Sequence, residues 1–419
     1  MPNKGLSHPI RWVLWILAVL FYFYEYFLRV TPSVMAFDLM RTFGIGAGMV
    51  GLLSALYFFT YAPMQLPVGL MIDRYGARRL LSIASVICGI GTYLFGTANI
   101  LGVAEFGRLL VGFGASFAFI GLVYLSSHLF ESRKLAYLVG LGNSFGMLGA
   151  VFGLGPFSMM KQAFGYKDTM IAFAIFGIVL GVVIYLVTRF EPKELKSYDK
   201  EKESSILFWK HLKETSLNSK TWLNAAIALA FYSITSAFGS MWAVPFFHEG
   251  YGMLKEDAAF TGSLFFMGWI VGGPIIGFFS DRIKKRKPFI MISSLLSLIT
   301  ISLILYYPIW TNLEVYLLVF LLGLFASAQL LSYALAVEFN APGTKGSAIA
   351  ITNFTVFMGG CVLQPLIGIL LDMDWSGNSL HGARDFSYSN FQFAYSVFPI
   401  LLLVAFCLSF FLNNYRVRR

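Results

Sequence analysis

Twelve runs of apolar residues, each near the length a bilayer demands, leave this chain little choice of fold. Crossing about 30 Å of hydrocarbon takes roughly 20 residues of helix. In the first half such runs cover Trp12–Ala36, Ala47–Ile72, Leu80–Ala98, Leu101–Leu129, Leu135–Met160 and Thr169–Thr188. In the second half they cover Trp222–Phe247, Ala258–Phe279, Phe289–Tyr306, Leu313–Val337, Ser347–Leu371 and Phe391–Phe411. Backbone amides inside hydrocarbon must find partners within the chain, so runs of this length become helices. Only 12% of the 419 residues are charged, about half the share of a soluble domain. The expected class is therefore an all-α integral membrane protein with twelve transmembrane helices.

Charge sets the orientation. An even number of spans puts both termini on one side, and 24 of the 31 Lys and Arg residues fall on that side. The opposite loops hold five, namely Arg41, Lys161, Lys167, Lys255 and Arg384. Such a bias marks the terminal side as cytoplasmic, and it accounts for the net charge of +10 without nucleic acid. The N-terminal MPNKGLSHPIR precedes a run too long for a signal peptide, so no cleaved signal is expected. One extended polar stretch, residues 191–220, divides the chain into six-helix parts spanning 1–190 and 221–419. Its second half, Ser204 to Leu217, has the pattern of a short amphipathic surface helix.

The two parts repeat each other. After the second run the chain reads GLMIDRYGARRL from Gly69, and after the eighth GFFSDRIKKRKP from Gly277. Gly69 and Gly277, Asp73 and Asp281, and Arg74 and Arg282 share an offset of 208 residues. Asn143 and Asn353, or Pro156 and Pro365, keep nearly the same spacing, the trace of a duplicated bundle. The first copy, with Arg78, resembles the signature between helices two and three of the major facilitator superfamily. Arg108 and the following LLVGFGAS resemble that superfamily's fourth-helix pattern. The resemblance implies two six-helix pseudo-symmetric halves and transport by alternating access. It also implies that Gly69, Asp73, Arg74, Arg78, Asp281 and Arg282 act as a conformational latch. In the fifth run, GNSFGMLGAVFGLGP resembles the antiporter motif at Gly142, Gly155 and Pro156 and departs from it at Val151 and Met159–Met160. That departure argues against an exporter.

Within the first run lie two charges, Glu25 and Arg29. An ionised side chain at the bilayer centre costs roughly 2.5–3.5 kcal/mol on insertion scales, so each needs protein, water or a counter-charge. Their i, i+4 spacing, acid first, favours an ion pair. Tyr22, Tyr26 and Ser33 share their face, and Pro32 removes an intrahelical bond to Leu28 beside them. In the superfamily the cavity lies between helices one, four, seven and ten, which brings Arg29 and Arg108 to similar depth. Two guanidiniums with few acids suit a carboxylate or phosphate, which the planar fork of Arg grips bidentately.

Tyr26, Arg29, Val30, Ser33 and Val34 also resemble the first-helix pattern of the anion:cation symporters. That family takes up organic anions with protons or sodium. The positions of its usual proton carriers hold Leu28 and Ala115 here, leaving Glu25 and Glu105 as proton-coupling candidates. Tyr22, Tyr26, Tyr61, Asn143, Asn353, Tyr333 and Gln329 are the further substrate-binding candidates. Tyr57, Gln65, Tyr232, Trp242, Trp269 and Gln364 are others at helical spacing.

Catalytic readings find no support, because no Walker A loop, HExxH or nucleophile elbow is present. Cys88, Cys361 and Cys407 sit in apolar runs, and the histidines lack metal-ligand spacing, so no cofactor, metal or disulfide is expected. The reading is a monomeric secondary transporter of a small organic anion in a bacterial inner membrane, importing it with protons or sodium. The alternatives are a multidrug or metabolite exporter and a non-transporting sensor.

Overall fold

The computed structural model describes residues 8–187, 209–307, 311–380 and 382–412. Twelve helices within them are long and apolar enough to cross a membrane. They are α1 (Pro9–Phe43), α2 (Ala47–Met64), α3 (Ala77–Thr97), α4 (Leu101–Leu129), α5 (Arg133–Phe164) and α6 (Tyr166–Val187). Then follow α7 (Ser219–Gly250), α8 (Lys255–Ile283), α9 (Lys287–Tyr306), α10 (Asn312–Glu338), α11 (Lys345–Met373) and α12 (Tyr388–Ser409). Of the segment expected to join the halves, residues 191–208 lie outside the described residues. Residues 209–216 are helical, and Asn218 caps α7 by accepting from the Lys220 amide at 3.1 Å.

Proline sets several of the departures from regular helix. The second apolar run does not continue to Ile72 as one helix. Pro63 and Pro67 each withhold an amide, the chain turns at residues 65–67, and a separate short helix, Val68–Tyr75, carries the first copy of the repeated motif. Pro32 lies inside α1, where the Leu28 carbonyl it deprives is met by Arg108 Nη1 at 2.9 Å and Thr31 Oγ1 at 3.2 Å. In α7 the stretches Ile234–Trp242 and Phe246–Gly250 are π-helical, around a short α turn containing Pro245. Such wide turns expose backbone carbonyls to outside donors. Gln364 Nε2 reaches the Ser236 carbonyl at 2.6 Å, and Tyr395 Oη the Trp242 carbonyl at 2.6 Å.

Helices α1–α6 pack on one another, as do α7–α12, and the two bundles meet through α2 with α11, α5 with α8, and α1 with α7. These are the two six-helix halves. Large apolar side chains of α3, α6, α9 and α12 point outward, where lipid would cover them.

The halves are sealed at the side away from the termini. There α2 and α11 touch backbone to backbone, because a Cβ on Gly51 would lie 2.4 Å from the Gln364 carbonyl, and one on Gly368 2.3 Å from that of Ala47. The Asp372 carboxylate at the end of α11 accepts from the Ala47 and Gly48 amides that open α2, at 2.9 and 2.8 Å. Arg384 Nη1 holds Asp372 at 2.8 Å, with its guanidinium 4.5 Å from the Trp375 ring. Arg384 stands in β2 (Ala383–Arg384), which pairs antiparallel with β1 (Ser379–Leu380). Between α5 and α8, Ser263 Oγ takes the Gly155 amide and donates to the Val151 carbonyl, both at 3.1 Å. Toward the termini no such close approach recurs at Gly140 of α5, Gly277 of α8 or Gly346 of α11, where a Cβ would have no atom within 4 Å.

Candidate transport site

The charged pair of α1 sits where the halves meet. Arg29 and Glu25 are buried at 1% and 0% exposure and form an ion pair. Arg29 Nε and Nη2 both donate to the Tyr57 hydroxyl of α2 at 3.3 Å, and that hydroxyl donates to Glu25 Oε1. Across the interface, Arg29 Nη1 donates to Tyr232 Oη of α7 at 2.7 Å. The guanidinium also lies 4.2 Å from the Tyr26 ring, 5.1 Å from Tyr61 and 5.4 Å from Phe357 of α11. At such distances aromatic faces attract a cation. Arg29 is thus bonded to both halves at once. Glu25 Oε2 is left without a donor among the described residues.

Arg108 occupies a different position. It is equally buried, but its Nη1 and Nη2 donate to the carbonyls of Leu28 and Ser54, at 2.9 and 3.2 Å, within its own half. Its guanidinium is 5.3 Å from the rings of both Tyr57 and Phe95. The Tyr57 ring thus lies near both guanidiniums, 5.4 Å from that of Arg29 and 5.3 Å from that of Arg108. Among the described residues, Arg108 forms no ion pair with Glu105 or any other acid. Glu105 is half-buried beside exposed Gly102, Val103 and Phe106 on the periphery of α4. Glu105, a proton-coupling candidate by sequence and one turn from Arg108, thus has different neighbours from it.

The remaining candidates divide by wall. Tyr22 donates to Asn143 Oδ1 at 3.3 Å and meets Tyr26 edge to face at 5.1 Å. Tyr61 stacks on Tyr57 at 5.3 Å and meets Phe357 at 4.6 Å. Asn353 Nδ2 faces Gln65 Oε1 across the halves at 3.5 Å. On α10, Tyr333 is half-buried and Gln329 is buried in a 3-10 turn, Ser327–Leu330, with Nε2 unpartnered; Trp269 Nε1 of α8 is likewise buried and unpartnered. Phe357 was missed by sequence reasoning. One more Phe in a run rich in them carries no signal until its partners across the interface are known.

The motif residues lie on the terminal side. Asp73 and Arg74 are exposed, Arg74 lies 5.2 Å from the Tyr75 ring, and Arg78 lies 4.6 Å from Tyr185 of α6. Asp281 pairs with Arg286, which also reaches Glu338 Oε1 at 3.4 Å and Ser280 Oγ at 3.0 Å, while Arg282 is exposed. The partners of Arg74, Arg78 and Arg286 all belong to their own half. Arg286 was overlooked in the sequence, although it stands 208 residues after Arg78 and completes the repeat.

Residues 14–365 match the family model of the Major Facilitator Superfamily. The chain belongs to that superfamily. Its fold aligns with a bacterial homologue of the human lysosomal transporter Spinster, in an inward-facing, occupied conformation, at a TM-score of 0.75 with 17% identity, covering 97% of each chain. Among curated members, it is 27% identical over 288 residues to the probable sulfoacetate transporter SauU of Cupriavidus necator, covering 64% of each chain. It is 25% identical over 311 residues to the probable galactarate/D-glucarate transporter GudP of Bacillus subtilis, covering 67% of each. The chain thus spans about two thirds of the length of these relatives. These relatives are transporters by name, and the family is one of transport proteins rather than enzymes.

Proposed function

We propose that this transporter imports a small organic anion, a carboxylate, by alternating access around Arg29, driven by protons. The observation that carries the reading is the charge of the buried cluster: two guanidiniums, Arg29 and Arg108, against one carboxylate, Glu25. Removing a charge from water costs several kcal/mol per ion unless it is paired and bonded. An arriving carboxylate supplies the missing negative charge. SauU and GudP, whose names specify organic anions, support the same class. The partial antiporter motif in α5 speaks against export.

Glu25 couples the cargo to the proton. When the substrate takes Arg29, Glu25 loses its cation in an apolar site and takes up a proton on the unpartnered Oε2. Arg108 holds α1 and α2 in place through the Leu28 and Ser54 carbonyls. The six-helix bodies, residues 1–190 and 221–419, rock about this centre in a bacterial inner membrane with both termini cytoplasmic, each chain working as a monomer. The side of the termini then opens to the cytoplasm, and the repeated motif residues engage the opposite half when the cleft reverses.

Purified protein in proteoliposomes tests this with labelled sulfoacetate, D-glucarate and other carboxylates under imposed pH and sodium gradients. Accumulation driven by an inward proton gradient is expected, with Glu25→Gln retaining exchange but losing pH-driven accumulation. Unchanged pH coupling in that variant removes Glu25 from the role.

A further inference from the structure

The unopened side of the molecule holds a second cationic cavity, about 260 Å³ in volume, lined by Phe37 and Arg41 of α1, His248 and Glu249 of α7, Lys255 of α8, and Ala383 and Arg384 of the loop before α12. A smaller cavity continues it inward past Phe37, His248 and Lys255 to Ser33, Asp38 and Lys161. We propose that the outer cavity is a docking station for a small anion, ahead of the central site and separate from it.

The charges favour an anion. Arg41, Lys255 and Arg384 line the cavity together with one carboxylate, Glu249, which interacts with both Lys255 and Asp385. Arg384 is held by Asp372, and in the inner cavity Lys161 is held by Asp38. Arg41 and Lys255, both exposed, have no ion-pair partner among the described residues. His248 Nδ1 donates to the Met253 carbonyl at 2.7 Å, and its Nε2 lies 3.7 Å from Glu249. The volume falls below the roughly 300–1,000 Å³ of sites for drug-sized ligands, which restricts the occupant to a small molecule.

Position supports the assignment. Arg29, Ser33, Phe37 and Arg41 recur every fourth residue and so form one stripe of α1. Ser33 Oγ, 1% exposed and without a partner, lines the inner end of the cavities, one turn from Arg29. The stripe joins the mouth to the central site, closed in this conformation between Ser33 and Arg29.

The station extends the anion reading of the central site, and its test is independent of transport. Phe37→Cys, with Cys407→Ser removing the exposed native thiol, places a reporter in the cavity wall. Reaction rates are measured with the sulfonatoethyl and trimethylammonium-ethyl methanethiosulfonates, each normalised to a free thiol. The anionic reagent is expected to be favoured by about tenfold, the low end of the range for electrostatic focusing in a charged cleft, because Glu249 offsets part of the cationic field. That preference should fall to near unity in Arg41→Gln/Lys255→Gln, and in about 1 M salt, where the screening length is about 3 Å. A ratio at or below one in the parent, or one unmoved by the double substitution, overturns the proposal. Ala383→Cys provides a second reporter should Phe37→Cys fold poorly. Arg29→Gln keeps the ratio whether or not it transports, so failure of the station and failure of the central site remain distinguishable.

Discussion

At the scale of single residues, Arg29 and Arg108 show how two identical buried side chains come to do different work. Arg29 bonds a hydroxyl on each half and one carboxylate. Arg108 serves two backbone carbonyls, one of which Pro32 has deprived of its helical amide. Removing Arg108 should therefore act on stability: Arg108→Ala takes a charged donor from the Leu28 carbonyl, which keeps only Thr31 Oγ1, and a second donor from the Ser54 carbonyl, at about 1.5–3 kcal/mol for a hydrogen bond to a charged group. A lowered thermal unfolding temperature in detergent would show it. Pro32→Ala in that background should recover part of the loss, because an alanine at this position restores an amide to the Leu28 carbonyl; no recovery would contradict this account of the bond. Tyr232→Phe removes the bond from Arg29 to the opposite half while leaving the ring in place. Hydrogen bonds to charged groups contribute about 1.5–3 kcal/mol, so the variant should populate the alternative conformation more, read as faster labelling of a cysteine placed at Ser158, a buried residue of α5 in the wall of the inner cavity on the sealed side. An unchanged labelling rate would remove Tyr232 from the closure.

Among the elements, the loop between α11 and α12 gains a role that its sequence did not announce. Asp372 caps the start of α2 from the other half, and Arg384, stacked on Trp375, fixes the carboxylate. A carboxylate at a helix N-terminus contributes about 0.3–1 kcal/mol from the helix dipole, more where partly buried. Asp372→Asn should loosen the seal, raising the accessibility of that Ser158 cysteine, and Gly51→Val should do so further by driving a side chain into the Gln364 carbonyl. Equal accessibility in all three proteins would show that the seal rests elsewhere. The sequence disclosed the break after α2 in principle, through Pro63 and Pro67, since proline acts locally. It disclosed neither the π-helical course of α7 nor the Asp372 cap. Both depend on partners far along the chain, such as Gln364 on Ser236 and Asp372 on Ala47.

For the whole molecule, length and repetition were the legible quantities. Twelve apolar runs and the 208-residue offset of Gly69, Asp73 and Arg74 lead to twelve spans in two halves. Helical periodicity likewise put Tyr22, Glu25, Tyr26 and Arg29 on one face. What periodicity could not supply was that Tyr232, one candidate among several, meets Arg29 from the opposite wall, that Phe357 stands beside it, or that Arg108 and Glu105 do not pair, because these follow from how helices pack rather than from any one helix. In the proposed transport cycle the sealed side must open, and Arg29 bridges the halves at the centre. The most direct test of this cycle is uptake by proteoliposomes of labelled D-glucarate and sulfoacetate beside uncharged galactitol, for the parent and for a monodisperse, folded Arg29→Gln. Uptake of an anion but not of galactitol, abolished in Arg29→Gln, is the predicted result. Uptake of galactitol by the parent, or undiminished anion uptake without Arg29, would contradict the account.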